Sequence, residues 1–191
     1  PEAYYFPPQL NNHGGDFPYT FFGIAPGTTK AQIRECLVNF TKGDNKITNY
    51  SSADRREPGT GCDVPPRLRR APGSMCAHEP QNGTGVFAMY QSLVNEAIVP
   101  EELLWNGTPK DRIGDFDLLL EVLDWELNVD PNMMANRFMV PVPVRPEAEM
   151  KEQGYSEKWI CYKSHDFSAK ELTIAPGATV TIKDSAAYGI I

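Results

Sequence analysis

The stretch GTGCDVPPRLRRAPGS, residues 59–74, decides the expected fold. Pro65 and Pro66 end a strand, because proline has no N–H to donate to the ladder. A tight turn follows, and residues 71–73 belong to a strand that returns. The alternative interpretation is a proline-rich loop with solvated arginines, since Pro-Pro and Pro-Gly dipeptides mark loops in many folds.

The spacing of this stretch resembles the second sequence motif of the cupin superfamily. That motif reads Gly, five residues, Pro, one residue, Gly, two residues, His. Gly59 and Pro65 fill the first two positions, whereas Arg67 stands at the second glycine and Arg70 at the histidine. The family's histidine binds a divalent metal, which a guanidinium cannot do because it has no lone pair to give. The resemblance therefore implies a barrel that has lost its metal or takes its ligands elsewhere.

Other segments carry the same resemblance. DVPP, APGS and HEPQ, all within residues 63–81, precede an alternating strand and are similar to a group of two-barrel cupins. The closing run ELTIAPGATVTIKDSAAYG, residues 171–189, resembles the first strands of a second barrel. The implied fold is mainly β with a helical insert: a cupin-like double-stranded β-helix barrel, or jelly roll, and a partial second barrel.

The resemblance also implies three parts. Residues 1–95 form the cupin-like β barrel with one helix at 28–41, residues 96–150 form a helical insert and a proline-rich linker, and residues 151–191 start a second cupin-like β unit. The chain begins with Pro1 rather than Met and stops in an apolar run. We therefore expect a fragment of a longer protein.

Helical periodicity supports the helices in this scheme. Thr29 and Gln32 form a capping box before an apolar stripe, which predicts the helix at 28–41. Pro100 starts a short helix that ends at Trp105. Thr108 is the expected N-cap of one long amphipathic helix that reaches Leu127. The acidic side chains along that helix are interpreted as a solvated face; they are Asp115, Asp117, Glu121, Asp124 and Glu126.

Composition restricts the partners. A net charge of −7 argues against nucleic acid or an anionic membrane. No run of about 18 apolar residues predicts a membrane span. One local cluster is basic and consists of Arg55, Arg56, Arg67, Arg69 and Arg70. This cluster could receive a phosphate or carboxylate, or its arginines could be solvated or paired with acidic side chains. The resemblance allows a homodimer, because cupins commonly pair through their sheets.

Cysteine usage favours a cytoplasmic protein. The four cysteines are scattered without CxxC spacing, so no zinc site is implied. Cys62 and Cys76 flank the central turn and could pair if their strands adjoin, but reduced thiols are the simpler interpretation. Four N-glycosylation sequons point instead to secretion, because such sequons are used only in the secretory pathway. The sequons start at Asn39, Asn49, Asn82 and Asn106.

The candidate functional residues follow from the resemblance. The metal ligands would be His13 and His78 with Asp16 or Glu79, holding Fe, Mn, Zn or Ni. Arg70 would clamp an anion or carbonyl and serve as the catalytic residue. Each has a structural alternative: His13 as a hydrogen-bonded loop histidine, and His78 beside Glu79 on opposite faces of a strand.

Two functions fit these features. The first is a metal-dependent enzyme, of isomerase or dioxygenase type, that acts on a sugar or another small carbonyl or hydroxyl substrate through a Lewis-acid metal. The second is a non-catalytic, metal-free cupin module for ligand binding or barrel pairing. The remaining alternative is an α+β domain unrelated to the cupins. No Walker loop, Rossmann glycine motif or nucleophile elbow occurs, so phosphate-loop and serine-nucleophile enzymes are not supported.

Overall fold

The computed structural model describes residues 1–13, 15, 17–83, 87–184 and 189. The strands, in chain order, are β1 (Glu2–Tyr5), β2 (Tyr19–Phe22), β3 (Ser52–Arg55), β4 (Gly61–Val64), β5 (Arg70–Ala71), β6 (Leu93–Val94), β7 (Ala97–Ile98), β8 (Phe138–Met139), β9 (Val142–Pro143), β10 (Tyr155–Cys161) and β11 (Ala169–Ile174). The α-helices are α1 (Lys30–Val38), α2 (Glu101–Leu104), α3 (Phe116–Val122), α4 (Trp125–Asn128), α5 (Met133–Arg137) and α6 (Glu147–Glu152).

The strands form small antiparallel sheets. Their orders are β1-β4-β8, β3-β2-β5 and β11-β10-β9, and β6 pairs with β7 as a separate hairpin. The free side of β1 is covered by the segment 78–82, where Ala3 N–H donates to the Pro80 carbonyl at 3.0 Å and Tyr5 N–H to the His78 carbonyl at 2.9 Å. Strand β1 is therefore flanked by backbone on both sides.

The β1-β4-β8 sheet lies between the other two three-stranded sheets. Side chains alternate along β1, so Tyr4 and Ala3 point to opposite faces. Tyr4 packs in a buried cluster with Phe22 of β2, whereas Ala3 packs with Met139 and with Cys161 of β10. Burial on both faces explains why β1 and β4 are almost wholly apolar or hydrogen-bonded.

A third core lies among the helices. Its buried members include Ile33 and Leu37 of α1, Leu104 of α2 and Leu119 of α3. Helix α1 begins after Thr29, whose side chain accepts from Gln32 N–H while Gln32 reaches back to the Thr29 N–H. The predicted capping box and the helix within 28–41 are both confirmed, as is the short helix after Pro100.

The predicted long helix from Thr108 to Leu127 is wrong. Gly114 has a φ of +94°, outside the helical region, and ends a short 3₁₀ turn. Asp115 then caps α3 through Leu118 N–H, and Asp124 caps α4 through Leu127 N–H. Two carboxylates interpreted as a solvated acidic face are instead N-caps, which satisfy the free N–H groups at each helix start.

The balance of elements is mixed rather than mainly β, at about 27% helix and 23% strand. Sheets and helices are present as expected, but the described residues form no closed barrel, so the cupin-like jelly roll is not confirmed. The proline-rich segment supplies two short edge strands, β8 and β9, as its prolines require. Strand β11 ends at Ile174, two residues before Pro176. The three-part domain division stays a prediction.

Candidate functional site

The central stretch folds as a strand, a turn and a returning strand. Strand β4 ends at Val64, directly before the two prolines, and β5 begins at Arg70. The two strands do not pair with each other: β4 joins β1, whereas β5 joins β2 in the neighbouring sheet. Gly73 follows at a point where a Cβ atom would lie 2.1 Å from the Tyr19 carbonyl oxygen, so only glycine fits there. The turn therefore connects the β1-β4-β8 sheet to the β3-β2-β5 sheet.

Arg67 holds this turn against a helix. Its φ of +66° lies in the left-handed region, where glycine is favoured. Its guanidinium donates to the carbonyls of Val122 at 2.8 Å and Glu121 at 2.7 Å, the last residues of α3. Helix ends leave carbonyls without partners and carry partial negative charge, so a guanidinium is a suitable C-terminal cap.

Asn128 fixes the same turn from inside. Its side chain is buried and accepts from Arg69 N–H at 2.8 Å while its amide donates to the Arg67 carbonyl at 2.8 Å and the Asp124 carbonyl at 2.7 Å. Its own carbonyl accepts from Ile24 N–H at 2.6 Å. The Asn128 side chain thus joins the turn to helix α4, and its backbone carbonyl joins both to the residues after β2.

Arg69 and Arg56 are buried arginines that the sequence did not identify as such. Burial lowers the pKa of Arg69 to about 10, and its guanidinium contacts the Ser51 hydroxyl. The Arg56 side chain is 2% exposed and lies 3.9 Å from the Asp54 carboxylate. Neither guanidinium faces open solvent, which removes both from the set of surface cations that could receive a ligand.

Arg70, the predicted catalytic residue, bridges two sheets. Its Nε donates to the Tyr4 hydroxyl at 2.8 Å and its Nη2 is ion-paired with Glu2. Gln81 Nε2 donates to the other Glu2 oxygen at 3.1 Å. Burial raises the pKa of the Tyr4 hydroxyl, although Arg70 lowers it in part. The Arg70 guanidinium therefore stays cationic and is directed at protein groups.

Glu79 belongs to the same cluster and carries a perturbed carboxyl group. Burial, the negative charge of Glu2 and a hydrogen bond to Glu2 raise its pKa, and the Arg70 charge offsets only part of this. Two neighbouring carboxyl groups cannot both ionise freely, so Glu79 retains a proton to higher pH than an isolated glutamate. The structure thus brings together two of the predicted site residues, Arg70 and Glu79.

The predicted metal ligands are not gathered into a site within the described residues. No group of three or more His, Cys, Asp or Glu side chains in that part of the chain could hold an ion. His13 is exposed, and the His78 backbone pairs with Tyr5. Asp16 lies outside the described residues, so the ligand set stays a prediction. All four cysteines are free, which answers the question of a Cys62–Cys76 disulfide.

A cleft elsewhere combines open volume with charge. It has a volume of about 350 Å³ and lies between the β9-β10-β11 sheet and the segment 179–183. Arg145, Lys170 and Lys183 line it, with Glu157 between them. Within the described part of the chain, Arg145 and Lys183 make no ion pair. Their charges are therefore open to a ligand.

Lys170 organises the floor of the cleft. Its ammonium lies 3.3 Å from a carboxylate oxygen of Glu157, 2.9 Å from Asp184 and 4.4 Å from the centre of the Trp159 ring. Burial alone would lower the pKa of Lys170, but the two carboxylates outweigh it and the pKa is raised. The ammonium is therefore charged at neutral pH, and its positive charge offsets the negative charge of the Glu157 carboxylate.

The sequence contained one signal for this cleft. Alternate residues of β10 share a face, and on one face these are Tyr155, Glu157 and Trp159. The Glu157 carboxylate is therefore placed between two aromatic side chains at a buried position. A buried carboxylate requires a partner, and Lys170 is opposite Trp159 in the strand register. The sequence did not identify Glu157 as a residue of a strand, so this signal was missed.

Comparison with known proteins gives no family. No family model, curated protein or solved structure matches this chain. Among the described residues, no helix is both long and apolar enough to cross a membrane.

Proposed function

We propose that this protein is a cupin-like binding module that takes a small ligand in the cleft lined by Arg145, Lys170 and Lys183. The observation that carries the proposal is the pair of cations, Arg145 and Lys183, that line an open volume of about 350 Å³ without an ion-pair partner among the described residues. Small-molecule sites commonly occupy clefts of about 300–1,000 Å³.

The cupin-like part of the proposal is supported by the local geometry of the central stretch. The position that the cupin motif gives to glycine is Arg67, and its backbone has the positive φ that glycine favours. A strand ends before the proline pair and another begins at Arg70, as the motif implies.

The Arg70 cluster supports a structural role more than a catalytic one. Its Nε and Nη2 groups are engaged by Tyr4 and Glu2, so a substrate carbonyl would have to displace protein contacts. One observation favours the second candidate, an enzyme that acts on a small carbonyl or hydroxyl substrate. The raised pKa of Glu79 beside Arg70 provides a proton donor next to a cation.

The test is isothermal titration calorimetry with a panel of neutral, monoanionic and dianionic polyols. We expect one member to bind in a 1:1 ratio, and the double variant Arg145→Gln/Lys183→Gln to weaken that binding about tenfold or more, which corresponds to about 1.4 kcal/mol. The matched control is Arg55→Gln/Lys110→Gln, since both of these residues are also exposed.

The outcomes separate the alternatives. Both double variants should keep the unfolding temperature within about 2 °C, because exposed charges contribute little to stability. Binding that survives in the cleft variant would place the ligand elsewhere. Absence of binding by every member of the panel would contradict the binding function itself. Turnover of a panel member that Glu79→Gln abolishes would support the enzyme.

A further inference from the structure

We infer that the cleft selects a hydroxylated monocarboxylate, of the sugar-acid or hydroxy-acid class, rather than a neutral sugar or a phosphate ester. This inference rests on the proposed function and specifies the ligand of that same site. It follows from the charge balance of the cleft, from the geometry of its cations and from its remaining polar groups.

The charge balance favours a single negative charge. Three cations, Arg145, Lys170 and Lys183, are near two carboxylates, Glu157 and Asp184. Lys170 contacts both carboxylates, so these three residues have a net charge of −1, and Arg145 with Lys183 bring the described residues of the cleft to +1. A monoanion neutralises this excess. A phosphate ester, with a charge of about −1.5 to −2 at neutral pH, would leave the site negative and adjacent to the Glu157 carboxylate.

Arg145 and Lys183, which have no ion-pair partner among the described residues, suit a carboxylate. The guanidinium of Arg145 offers paired N–H donors in a plane, and this geometry matches the two oxygens of a carboxylate. The ammonium of Lys183 is a compact charge on a flexible stem and adds attraction without a fixed direction. Both residues are exposed, so binding draws on screened charges and weakens as the salt concentration rises.

The other polar groups suit ligand hydroxyls. Glu157 is 6% exposed and one of its oxygens contacts Lys170, which leaves a second oxygen able to accept from a hydroxyl donor. Thr179 and Thr181 line the opposite wall and can both donate and accept. A ligand that carried a carboxylate without hydroxyl groups would leave these groups without partners, and unpaired polar groups in a site reduce affinity.

The experiment compares four probes by calorimetry at low salt and pH 7: D-gluconate, D-glucose, D-glucose 6-phosphate and hexanoate. We expect gluconate to bind at least about tenfold more tightly than each of the other three. Arg145→Gln should weaken gluconate about fivefold or more and leave glucose unchanged. Arg55→Gln should change neither.

A second variant tests the charge balance directly. Glu157→Gln removes the carboxylate that repels a second negative charge, so we expect glucose 6-phosphate to gain affinity relative to gluconate. Tighter binding of the phosphate or of glucose by the unmodified protein would overturn the inference while leaving the binding function intact. Equal binding of gluconate and hexanoate would also overturn it. Absence of binding by all four probes and by the wider panel would contradict the proposed function.

Discussion

The turn at residues 65–70 and the cleft beside β10 are both rich in cations, but they use them differently. In the turn, Arg67, Arg69 and Arg70 each donate to atoms of the protein. In the cleft, Arg145 and Lys183 line open volume without an ion pair in the described part of the chain. A cluster of basic residues in a sequence therefore indicates a ligand site only where the fold leaves their donors unused.

The strongest test of this difference removes the amide that holds the turn. Asn128→Ala deletes three side-chain hydrogen bonds in a buried position. The Arg69 N–H is left without a partner among the described residues, whereas the Arg67 and Asp124 carbonyls each keep a backbone donor. An unsatisfied buried N–H costs about 1–3 kcal/mol and each of the other two lost hydrogen bonds about 0.5–1.5 kcal/mol, so we expect a loss of about 3 kcal/mol. In a domain of this size that lowers Tm by about 6–12 °C, measured by calorimetry or circular dichroism.

The control for Asn128→Ala is Asn132→Ala, because Asn132 is exposed and close in sequence. We expect this variant to change Tm by no more than about 2 °C. Equal effects of the two substitutions would show that the turn is not held as the structure describes. Ligand binding in the cleft should persist in the Asn128 variant below its Tm, since the two regions share no residue.

A smaller effect is expected at Arg67, where the backbone conformation favours glycine but the hydrogen bonds to α3 require the arginine side chain. Arg67→Ala removes the cap on α3 and keeps the strained positive φ, so we expect a loss of about 1–2 kcal/mol. Arg67→Gly also removes the cap but relieves the backbone. Glycine should therefore be more stable than alanine here by about 0.5–1 kcal/mol, the reverse of their order in a helix.

Chemical denaturation of the two Arg67 variants measures this difference. Arg55→Gly and Arg55→Ala form the matched pair, since Arg55 is exposed in strand β3, where glycine is the less stable choice. Should Gly and Ala rank alike at both positions, the left-handed backbone at Arg67 would be contradicted, and with it the local support for the cupin-like frame.

Local features of the fold could be predicted from the sequence, and the assembly of sites could not. The capping box at Thr29 and the strand end at Pro65 depend on neighbouring residues, and both are confirmed. Gly114 separates a short 3₁₀ turn from α3, and the extended backbone of Leu123 separates α3 from α4. The apolar periodicity continues because residues of both helices pack against the same core. Asp115 and Asp124 were interpreted as solvated, because the sequence alone does not distinguish an aspartate that caps a helix from one that is exposed to solvent.

The residues that line the cleft could not be grouped from the sequence, for a different reason. Its walls come from Arg145, Glu157, Lys170 and the segment 179–183, which are separated by turns whose geometry the sequence does not specify. The Arg70 cluster is similar: Glu2 and Glu79 are 77 positions apart and meet because segment 78–82 pairs with β1. Long-range strand pairing decides both sites.

The smallest expected effect concerns the pH dependence of the Arg70 cluster. The pKa of Glu79 is raised in the folded protein, by burial first and then by Glu2, so its proton stabilises the fold. That contribution is complete below the pKa of the unfolded state, near 4.3, and is lost as the pH rises through the raised value. Glu79→Gln keeps an uncharged hydrogen-bonding group and removes this dependence.

We therefore expect Glu79→Gln to match the unmodified protein near pH 4 and to exceed it in stability at pH 7. The gain should be less than about 1 kcal/mol, because the Glu79 side chain is only partly buried and solvent screens its charge interactions. Denaturation at several pH values measures it, with Glu57→Gln, another exposed glutamate, as the control. A variant less stable than the parent at pH 7 would show that ionised Glu79 is held favourably by Arg70. The cluster would then hold Arg70 between two carboxylates, and Glu79 would be excluded as the proton donor of an enzyme.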